Sequence, residues 1–107
     1  MTNTLKLVLT DHWFEEIKSG RKTHEYRAMS EYWKKRFNYV PRTVGVYIPG
    51  TWLHDFPYNK VEFQKAYRKN AEKMTFLIKK VTLRRGHETD LKYDGGVFDI
   101  ELGERVK

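Results

Sequence analysis

The residues best suited to chemistry lie in the segment GRKTHEYR, residues 20–27. Side chains two apart in a strand project from the same face, so Glu25 and Arg27 share a face of a strand that begins near Lys22. Arginine offers a planar fork of donors, lysine a point charge and glutamate an acceptor. Together they can hold a phosphate group or the edge of a base. The alternative is a ladder of ion pairs on an exposed strand, and residue chemistry alone leaves both interpretations open.

The same segment offers a pair of residues for proton transfer. Glu25 is the candidate general base and Lys22 lies beside it, so these two are the candidate catalytic residues. Neighbouring lysine and arginine side chains hold a carboxylate ionised, which makes it a weaker base. The residues therefore leave catalysis open as an alternative to binding.

Two other basic groups are interleaved with aromatic residues. One lies at residues 32–36, and the other at residues 65–85, where Glu72 is the only acidic residue. Basic groups next to rings that can stack on bases are the usual means of gripping a flexible nucleic-acid strand. A solvated face rich in lysine is the alternative. The candidate RNA contacts in these groups are Trp33, Lys34, Lys35, Lys65, Tyr67, Arg68 and Lys69.

Motifs for metal binding or nucleophilic catalysis are missing from the sequence. The chain has four histidines, at positions 12, 24, 54 and 87, and no cysteine. No two histidines have the spacing of a metal-binding pair, and the chain has neither a glycine-rich phosphate loop nor a nucleophile elbow. We therefore expect no metal and no cofactor.

The elements that must position residues 20–27 can be predicted from periodicity. Alternating leucines predict a strand at Thr4–Leu9, and Thr10 is placed to cap a helix at Asp11–Ser19 that ends at Gly20. A strand is predicted at Lys22–Ala28. A second helix is predicted at Glu31–Phe37, capped by Ser30. The predicted inward residues of the first strand and helix are Leu5, Leu7, Leu9, Trp13, Phe14 and Ile17.

The rest of the chain is predicted to supply an irregular region and further strands. Residues 38–59 contain all three prolines and are expected to be irregular, with one short strand at Thr43–Ile48. Near Lys79 and Lys80 the apolar residues change from one strand face to the other, which suggests a bulge. Residues 86–96 are expected to form a polar turn. The remaining predicted segments are strands at Lys60–Ala66, Met74–Leu83 and Val97–Leu102, the last with Phe98, Ile100 and Leu102 inward, and a frayed tail at Gly103–Lys107.

Composition bounds the class of protein. The chain has 107 residues, 39% of them hydrophobic, which suits a single α+β domain with one core. Its net charge of +7 favours polyanionic partners, with nucleic acid first. The absence of cysteine, of a leader pattern at Met1–Leu9 and of any long apolar stretch predicts a cytoplasmic location and no membrane partner.

The pattern Gly20-x-Lys22-x-x-Glu25-x-Arg27 resembles the signature of ASCH domains, which belong to the PUA-like superfamily. The resemblance extends over Leu5–Phe37 and Lys60–Gly103, and residues 29–37 are similar to a branch of small bacterial and phage-type members. It implies a small mixed β-barrel of about five to six strands with two or more flanking helices. It also implies a cleft that is lined by Lys22, Glu25 and Arg27 and binds RNA.

Enzymatic activity is also implied for parts of this family. Some members cleave RNA, and one branch removes the acetyl group of N4-acetylcytidine with a lysine, a threonine and a distant glutamate. Lys22 matches that lysine, but the threonine aligns with Glu25, and a carboxylate cannot act as an alkoxide nucleophile by the same route.

The sequence therefore predicts a single RNA-binding ASCH-type domain that acts as a monomer. Its ligand is RNA or a nucleotide-like molecule, and ribonuclease activity is an additional expectation. The alternatives are a hydrolase of a modified nucleoside that uses Lys22 and Glu25, and a protein-interaction module.

Overall fold

The computed structural model describes residues 3–40 and 47–107, and five strands and two α-helices lie within them. This confirms the α+β class and the expected number of strands and helices. The strands are β1 (Thr4–Leu9), β2 (His24–Ala28), β3 (Lys60–Lys65), β4 (Lys73–Arg85) and β5 (Gly96–Arg105). The helices are α1 (Asp11–Lys18) and α2 (Glu31–Arg36), and a 3-10 turn occupies Gly86–Glu88.

The chain divides into two units, each made of several chain segments. The first unit comprises the described part of Met1–Thr23 together with Tyr58–Lys79 and Leu102–Lys107. Its strand order is β1-β3-β4, with β1 parallel to β3 and β3 antiparallel to β4. The three leucines of β1 are at most 5% exposed, which confirms their predicted inward face.

Helix α1 packs its apolar residues into the first unit. Phe14 and Ile17 are buried, and burial of a side chain of this size contributes about 1.5–3 kcal/mol. Trp13, also predicted to point inward, is only partly buried. Thr10 occupies the N-cap position, but its side chain makes no capping hydrogen bond, so that part of the prediction is wrong. Gly20 has φ +85°, which confirms the left-handed stop after the helix. No helix among the described residues has the length and apolar composition needed to span a membrane.

The second unit comprises the described part of His24–Pro57 together with Lys80–Glu101. Its strand order is β4-β5-β2, and β2 runs antiparallel to β5. The Ser30 hydroxyl accepts a hydrogen bond from the Trp33 backbone N–H at 3.4 Å, which confirms the predicted cap of α2. Just after this helix, the ring of Phe37 packs edge-on against Phe98 with centroids 5.0 Å apart, and both residues are at most 1% exposed.

The buried face of β4 changes partway along the strand. Met74 is buried and Leu77 is 37% exposed, so even-numbered residues point inward at the start of the strand. Val81 and Leu83 are each 1% exposed, so odd-numbered residues point inward at its end. The predicted change of face near Lys79 and Lys80 is therefore confirmed.

Strand β5 differs from its prediction in two ways. Val97 and Asp99 are buried together with their alternating neighbours, because both faces of the strand are covered there. The strand also continues to Arg105, and the Val106 N–H donates to the Thr75 carbonyl at 2.8 Å. The expectation of a frayed tail is therefore wrong for the backbone of residues 103–107.

Residues 43–46 of the predicted strand at Thr43–Ile48 lie outside the described part of the chain. Within residues 47–59, the extended pairing is limited to a single antiparallel bridge between Trp52 and Thr82. Here the Gly50 N–H donates to the Leu83 carbonyl at 2.6 Å, which fastens this segment to β4. The irregular character expected for residues 47–59 is therefore confirmed.

Candidate functional site

Strand β2 carries polar side chains on both of its faces. Alternation along a strand places His24 and Tyr26 on one face and Glu25 and Arg27 on the other. Each face of β2 therefore has a polar group of its own, and the second unit contains both.

On one face of β2, Arg27 contacts both a carboxylate and an aromatic ring. Its Nη2 atom donates to Oε2 of Glu25 at 2.8 Å, and its Cζ atom lies 5.3 Å from the ring centroid of Trp33. Stacking of a guanidinium on a ring is a favourable cation–π arrangement. The spacing argument thus correctly places Glu25 and Arg27 together. We call these three residues the Arg27 cluster.

Glu25 is buried and held at both of its carboxylate oxygens. Its side chain is 7% exposed, Oε1 accepts a hydrogen bond from the Tyr26 N–H at 3.2 Å, and Oε2 binds Arg27. An exposed ladder of ion pairs would leave such a carboxylate in water, so the observed burial disagrees with that alternative. Two engaged oxygens suit a group that orients Arg27 better than a group that exchanges protons.

Arg27 has one buried donor without an acceptor. Among the residues that the structure describes, its Nε atom is the one buried side-chain nitrogen or oxygen without a hydrogen-bond partner. An unmade hydrogen bond of a buried donor costs about 1–3 kcal/mol. Native proteins usually satisfy such donors with water or a ligand, so the atom marks a place where an acceptor would be favourable.

Lys22 belongs to the first unit, whereas Glu25 and Arg27 belong to the second. Its backbone N–H donates to the Glu16 carbonyl at 3.0 Å, which explains why β2 begins at His24 and not at Lys22 as predicted. Its Nζ atom lies 4.2 Å from the centroid of the Trp13 ring. Lys22 therefore makes a cation–π contact within its own unit.

Two of the predicted RNA contacts in the first unit are already paired with carboxylates of α1. The Nζ atom of Lys65 lies 2.6 Å from Glu15, and Nη2 of Arg68 lies 2.6 Å from Asp11. The hydrogen bond from Arg68 holds the pKa of Asp11 below its ordinary value of 3.8. The hydrogen bond to Glu15 raises the pKa of Lys65 above 10.5. These two cations are therefore less available to phosphates than their charge suggests.

Three of the other predicted contacts, Lys35, Tyr67 and Lys69, are open to solvent, whereas Lys34 is partly buried. Tyr67 is 89% exposed in the connection between β3 and β4. Lys35 and Lys69 are exposed, and neither forms an ion pair with any described residue. Lys34 makes a long contact of 3.5 Å with Glu31. Among the predicted RNA contacts, the cations most available to a polyanion are therefore Lys35 and Lys69.

The opposite face of β2 carries a cluster that the sequence did not predict. The Nδ1 atom of His24 lies 2.6 Å from Oδ1 of Asp99, and Nη1 of Arg84 lies 3.3 Å from Oδ2 of the same carboxylate. The Asp99 side chain is 4% exposed, whereas that of His24 is 32% exposed. We call these residues the His24 cluster. A buried carboxylate here holds a partly exposed imidazole at one ring nitrogen.

The His24 cluster borders a cavity of about 400 Å³ in the second unit. Lys80 also lines the cavity, 3.9 Å from Glu101, and Thr82 adds a hydroxyl group. Lys80 and Arg84, the two cations of the lining, therefore each lie near a carboxylate. The ionisable lining consists of His24, Lys80, Arg84, Glu88, Asp99 and Glu101.

Tyr26 lies beside the His24 cluster. Its ring is parallel to that of His24 within 9°, with centroids 6.2 Å apart. Burial raises the pKa of the Tyr26 hydroxyl above 10.0, and the negative charge of Asp99 adds to the effect. The phenol therefore stays protonated and neutral at physiological pH.

Sequence signals for the His24 cluster were weak. Asp99 lies between Phe98 and Ile100 in an apolar strand, and alternation placed it on the outer face. The spacing of His24 from the other histidines matches no metal-binding pair, so the sequence gives it no role. No group of three potential ligands within residues 3–40 and 47–107 is arranged to hold a metal ion. A carboxylate inside an apolar strand was the one available signal.

The second unit thus contains two polar groups, the Arg27 cluster and the His24 cluster. The function of either group rests on its own chemistry. Comparison of the chain with protein-family models, with curated proteins and with solved structures finds no match.

Proposed function

We propose that the protein is an RNA-binding domain and that the Arg27 cluster binds a base or phosphate of RNA or of a nucleotide-like ligand. The observation that carries this proposal is the buried Nε atom of Arg27, a donor without an acceptor on a guanidinium backed by Trp33. The net charge of +7 supports a polyanionic ligand.

The Arg27 cluster suits this role because its guanidinium is held in place before the ligand arrives. Glu25 fixes Nη2 and the Trp33 ring faces the guanidinium, so little side-chain freedom is left to lose on binding. An oxygen or nitrogen acceptor of the ligand that reaches Nε would exchange an unmade hydrogen bond for a charge-assisted one, a gain of about 1.5–3 kcal/mol.

Exposed residues elsewhere would add affinity that depends on salt. Lys35 and Lys69 are unpaired among the described residues, and Tyr67 presents a ring on which a base can stack. Binding through such cations releases counterions from the nucleic acid and therefore weakens as salt rises.

The finer fold of the proposal, a single PUA-like domain with a small mixed β-barrel, comes from the resemblance of residues 20–27 to the ASCH signature. The proposed cytoplasmic location comes from the lack of cysteine, and a monomeric state is favoured. Five strands and two helices among the described residues support the barrel expectation in number. Binding is preferred over hydrolysis by Lys22 and Glu25, because both oxygens of Glu25 already accept hydrogen bonds.

The test is the binding of a fluorescent single-stranded RNA as salt rises from about 50 to 200 mM, the range over which phosphate contacts lose most affinity. We expect Arg27→Ala to weaken binding by about 10- to 150-fold, the loss of one charge-assisted contact. Arg105→Ala is the matched control, because Arg105 is exposed and also carries one positive charge. Equal losses for the two variants would reject the Arg27 cluster as the RNA site.

A second variant separates binding from folding. Arg27→Ala breaks the ion pair with the buried Glu25 carboxylate, and removal of one partner of a buried pair destabilises a protein by about 3–5 kcal/mol. The double variant Glu25→Gln/Arg27→Met removes both charges and keeps the volume, which is often neutral for stability. A double variant that melts like wild type and still binds RNA with full affinity would contradict the proposal.

A further inference from the structure

We propose that His24, positioned by Asp99, is a general base that activates water to hydrolyse uncharged esters in the cavity of the second unit. This activity is distinct from RNA binding and uses the face of β2 opposite to the Arg27 cluster. The proposal stands on the geometry of the His24 cluster and on the charges that line the cavity.

The ring of His24 is prepared for proton transfer. Because a carboxylate can only accept, its contact with Asp99 at 2.6 Å places the proton of the neutral imidazole on Nδ1. Nε2 is then left with a lone pair, and none of the described residues binds it. Asp99 cannot turn away easily, because it is buried and Arg84 holds its other oxygen. The same division of roles operates in catalytic triads, where a buried carboxylate fixes the tautomer of the histidine.

The charges around the cavity favour an uncharged substrate. The lining has two fixed cations, Lys80 and Arg84, against the three carboxylates of Glu88, Asp99 and Glu101. Both cations already lie near carboxylates, and Glu88 lies 3.7 Å from Arg85, so a phosphate group would meet little unpaired positive charge. The volume of about 400 Å³ is in the range of small-molecule sites.

The reaction that fits these groups is the addition of water to an ester carbonyl. Nε2 of His24 takes a proton from water as the water oxygen bonds to the carbonyl carbon and the carbonyl π electrons move to oxygen. The resulting oxyanion is stabilised by donors of Arg84 that Asp99 does not use. The bond to the alcohol oxygen then breaks, and that oxygen takes the proton back from Nε2. One ester and one water give one carboxylic acid and one alcohol, and His24 is again neutral.

The first experiment measures saturation kinetics with p-nitrophenyl acetate for wild type, His24→Gln and His87→Gln. A general base contributes about 10²- to 10⁴-fold, so we expect kcat/KM to fall by at least 100-fold in His24→Gln. His87→Gln is the matched control, because His87 is exposed in the 3-10 turn and does not line the cavity. A wild-type rate that does not saturate, or that His24→Gln leaves unchanged, would overturn the proposal.

The second experiment tests Asp99 as a positioning residue. We expect Asp99→Asn to lower kcat by more than tenfold with KM little changed, since a wrong tautomer impairs the base. The ¹⁵N NMR signals of the His24 ring should at the same time show that the proton has left Nδ1. Unchanged ring signals together with a lowered kcat would reject the positioning role. Inhibition of ester hydrolysis by millimolar inorganic phosphate would reject the preference for uncharged substrates.

Discussion

The Nζ atom of Lys65 lies 2.6 Å from Oε2 of Glu15, so β3 and α1 share an ion pair at the surface of the first unit. This contact removes Lys65 from the cations that are free to meet phosphates. Lys69, four residues later, is exposed and unpaired among the described residues. Lys65 and Lys69 carry the same charge and lie four residues apart, but we expect them to differ in their effect on RNA binding.

We expect Lys69→Ala to weaken RNA binding more than Lys65→Ala does. Loss of one phosphate contact reduces the slope of log affinity against log salt by about 1, without a preference for RNA sequence. Lys65→Ala should change that slope by less, because its charge is already offset by Glu15. Binding curves at four or more salt concentrations measure both slopes. Equal slopes for the two variants would show that the ion pair opens when RNA binds.

Ion pairs of the first unit predict a weak dependence of stability on acid. The hydrogen bond from Lys18 lowers the pKa of Glu72 below its ordinary value of 4.5. A carboxyl group with a lowered folded pKa stabilises the fold above its unfolded pKa, and the effect disappears as pH falls through the folded pKa. Glu72→Gln should therefore lower Tm by at most a few degrees at pH 7, because the pair is exposed. This difference from wild type should vanish as pH falls well below 4.5.

Thermal melts between pH 7 and pH 2 test this expectation. Glu104→Gln is the control, since Glu104 is exposed and forms no ion pair with the described residues. Its Tm difference from wild type should not follow the same course with pH. A Glu72→Gln difference that persists at pH 2 would assign the effect to something other than the Lys18–Glu72 charge pair.

Tyr26 predicts a loss of stability in alkali. Burial raises the pKa of its hydroxyl above 10.0, so the folded protein keeps this proton at pH values at which the unfolded chain releases it. The stabilisation is complete below pH 10.0 and is lost as pH rises through the folded pKa. Absorbance at 295 nm for wild type minus Tyr26→Phe should give a midpoint above 10.0 in buffer and near 10 in urea. Coincident midpoints in the two solvents would contradict the burial effect.

The atoms packed around Gly86 leave no room for a side chain at this position. A Cβ atom at this position would collide with the backbone carbonyl oxygen of Tyr93 and lie 2.8 Å from that of Gly95. We therefore expect Gly86→Ala to destabilise the fold by about 1–3 kcal/mol through overpacking. Gly103→Ala is the control, because its nearest neighbour would lie at 3.4 Å. Urea unfolding of both variants measures the difference, and equal stabilities would disprove the limit.

Much of the fold could be predicted because it depends on local periodicity. The leucines of β1 and the apolar residues of α1 report their buried faces directly, and Ser30 and Gly20 mark helix ends through backbone chemistry. The failures arose where distant residues decide. Asp99 is buried because both faces of β5 are covered, and the hydrogen bond of Val106 to Thr75 joins residues 31 positions apart.

The two candidate sites differ in the same way, because one depends on local spacing and the other on residues that are distant in the sequence. Glu25 and Arg27 lie two residues apart, so strand alternation predicted their contact. The contact of His24 with Asp99 joins residues 75 positions apart and requires the pairing of β2 with β5. The neutralisation of Lys65 by Glu15 likewise depends on a separation of 50 residues. Charge counts along the sequence therefore overstated the number of free cations.

The change of face in β4 constrains the length of this strand. The inward residues of β4 are even-numbered before Lys79, as at Met74, and odd-numbered after Lys80, as at Val81. The strand therefore consists of two segments of opposite parity that meet at these lysines. Deletion of one lysine would give the two segments the same parity, so that regular alternation without a bulge would bury Met74, Val81 and Leu83 on one face. Deletion of both lysines would keep the opposite parities and would still require the change of face. The number of residues between Met74 and Val81 and the presence of the bulge are therefore coupled.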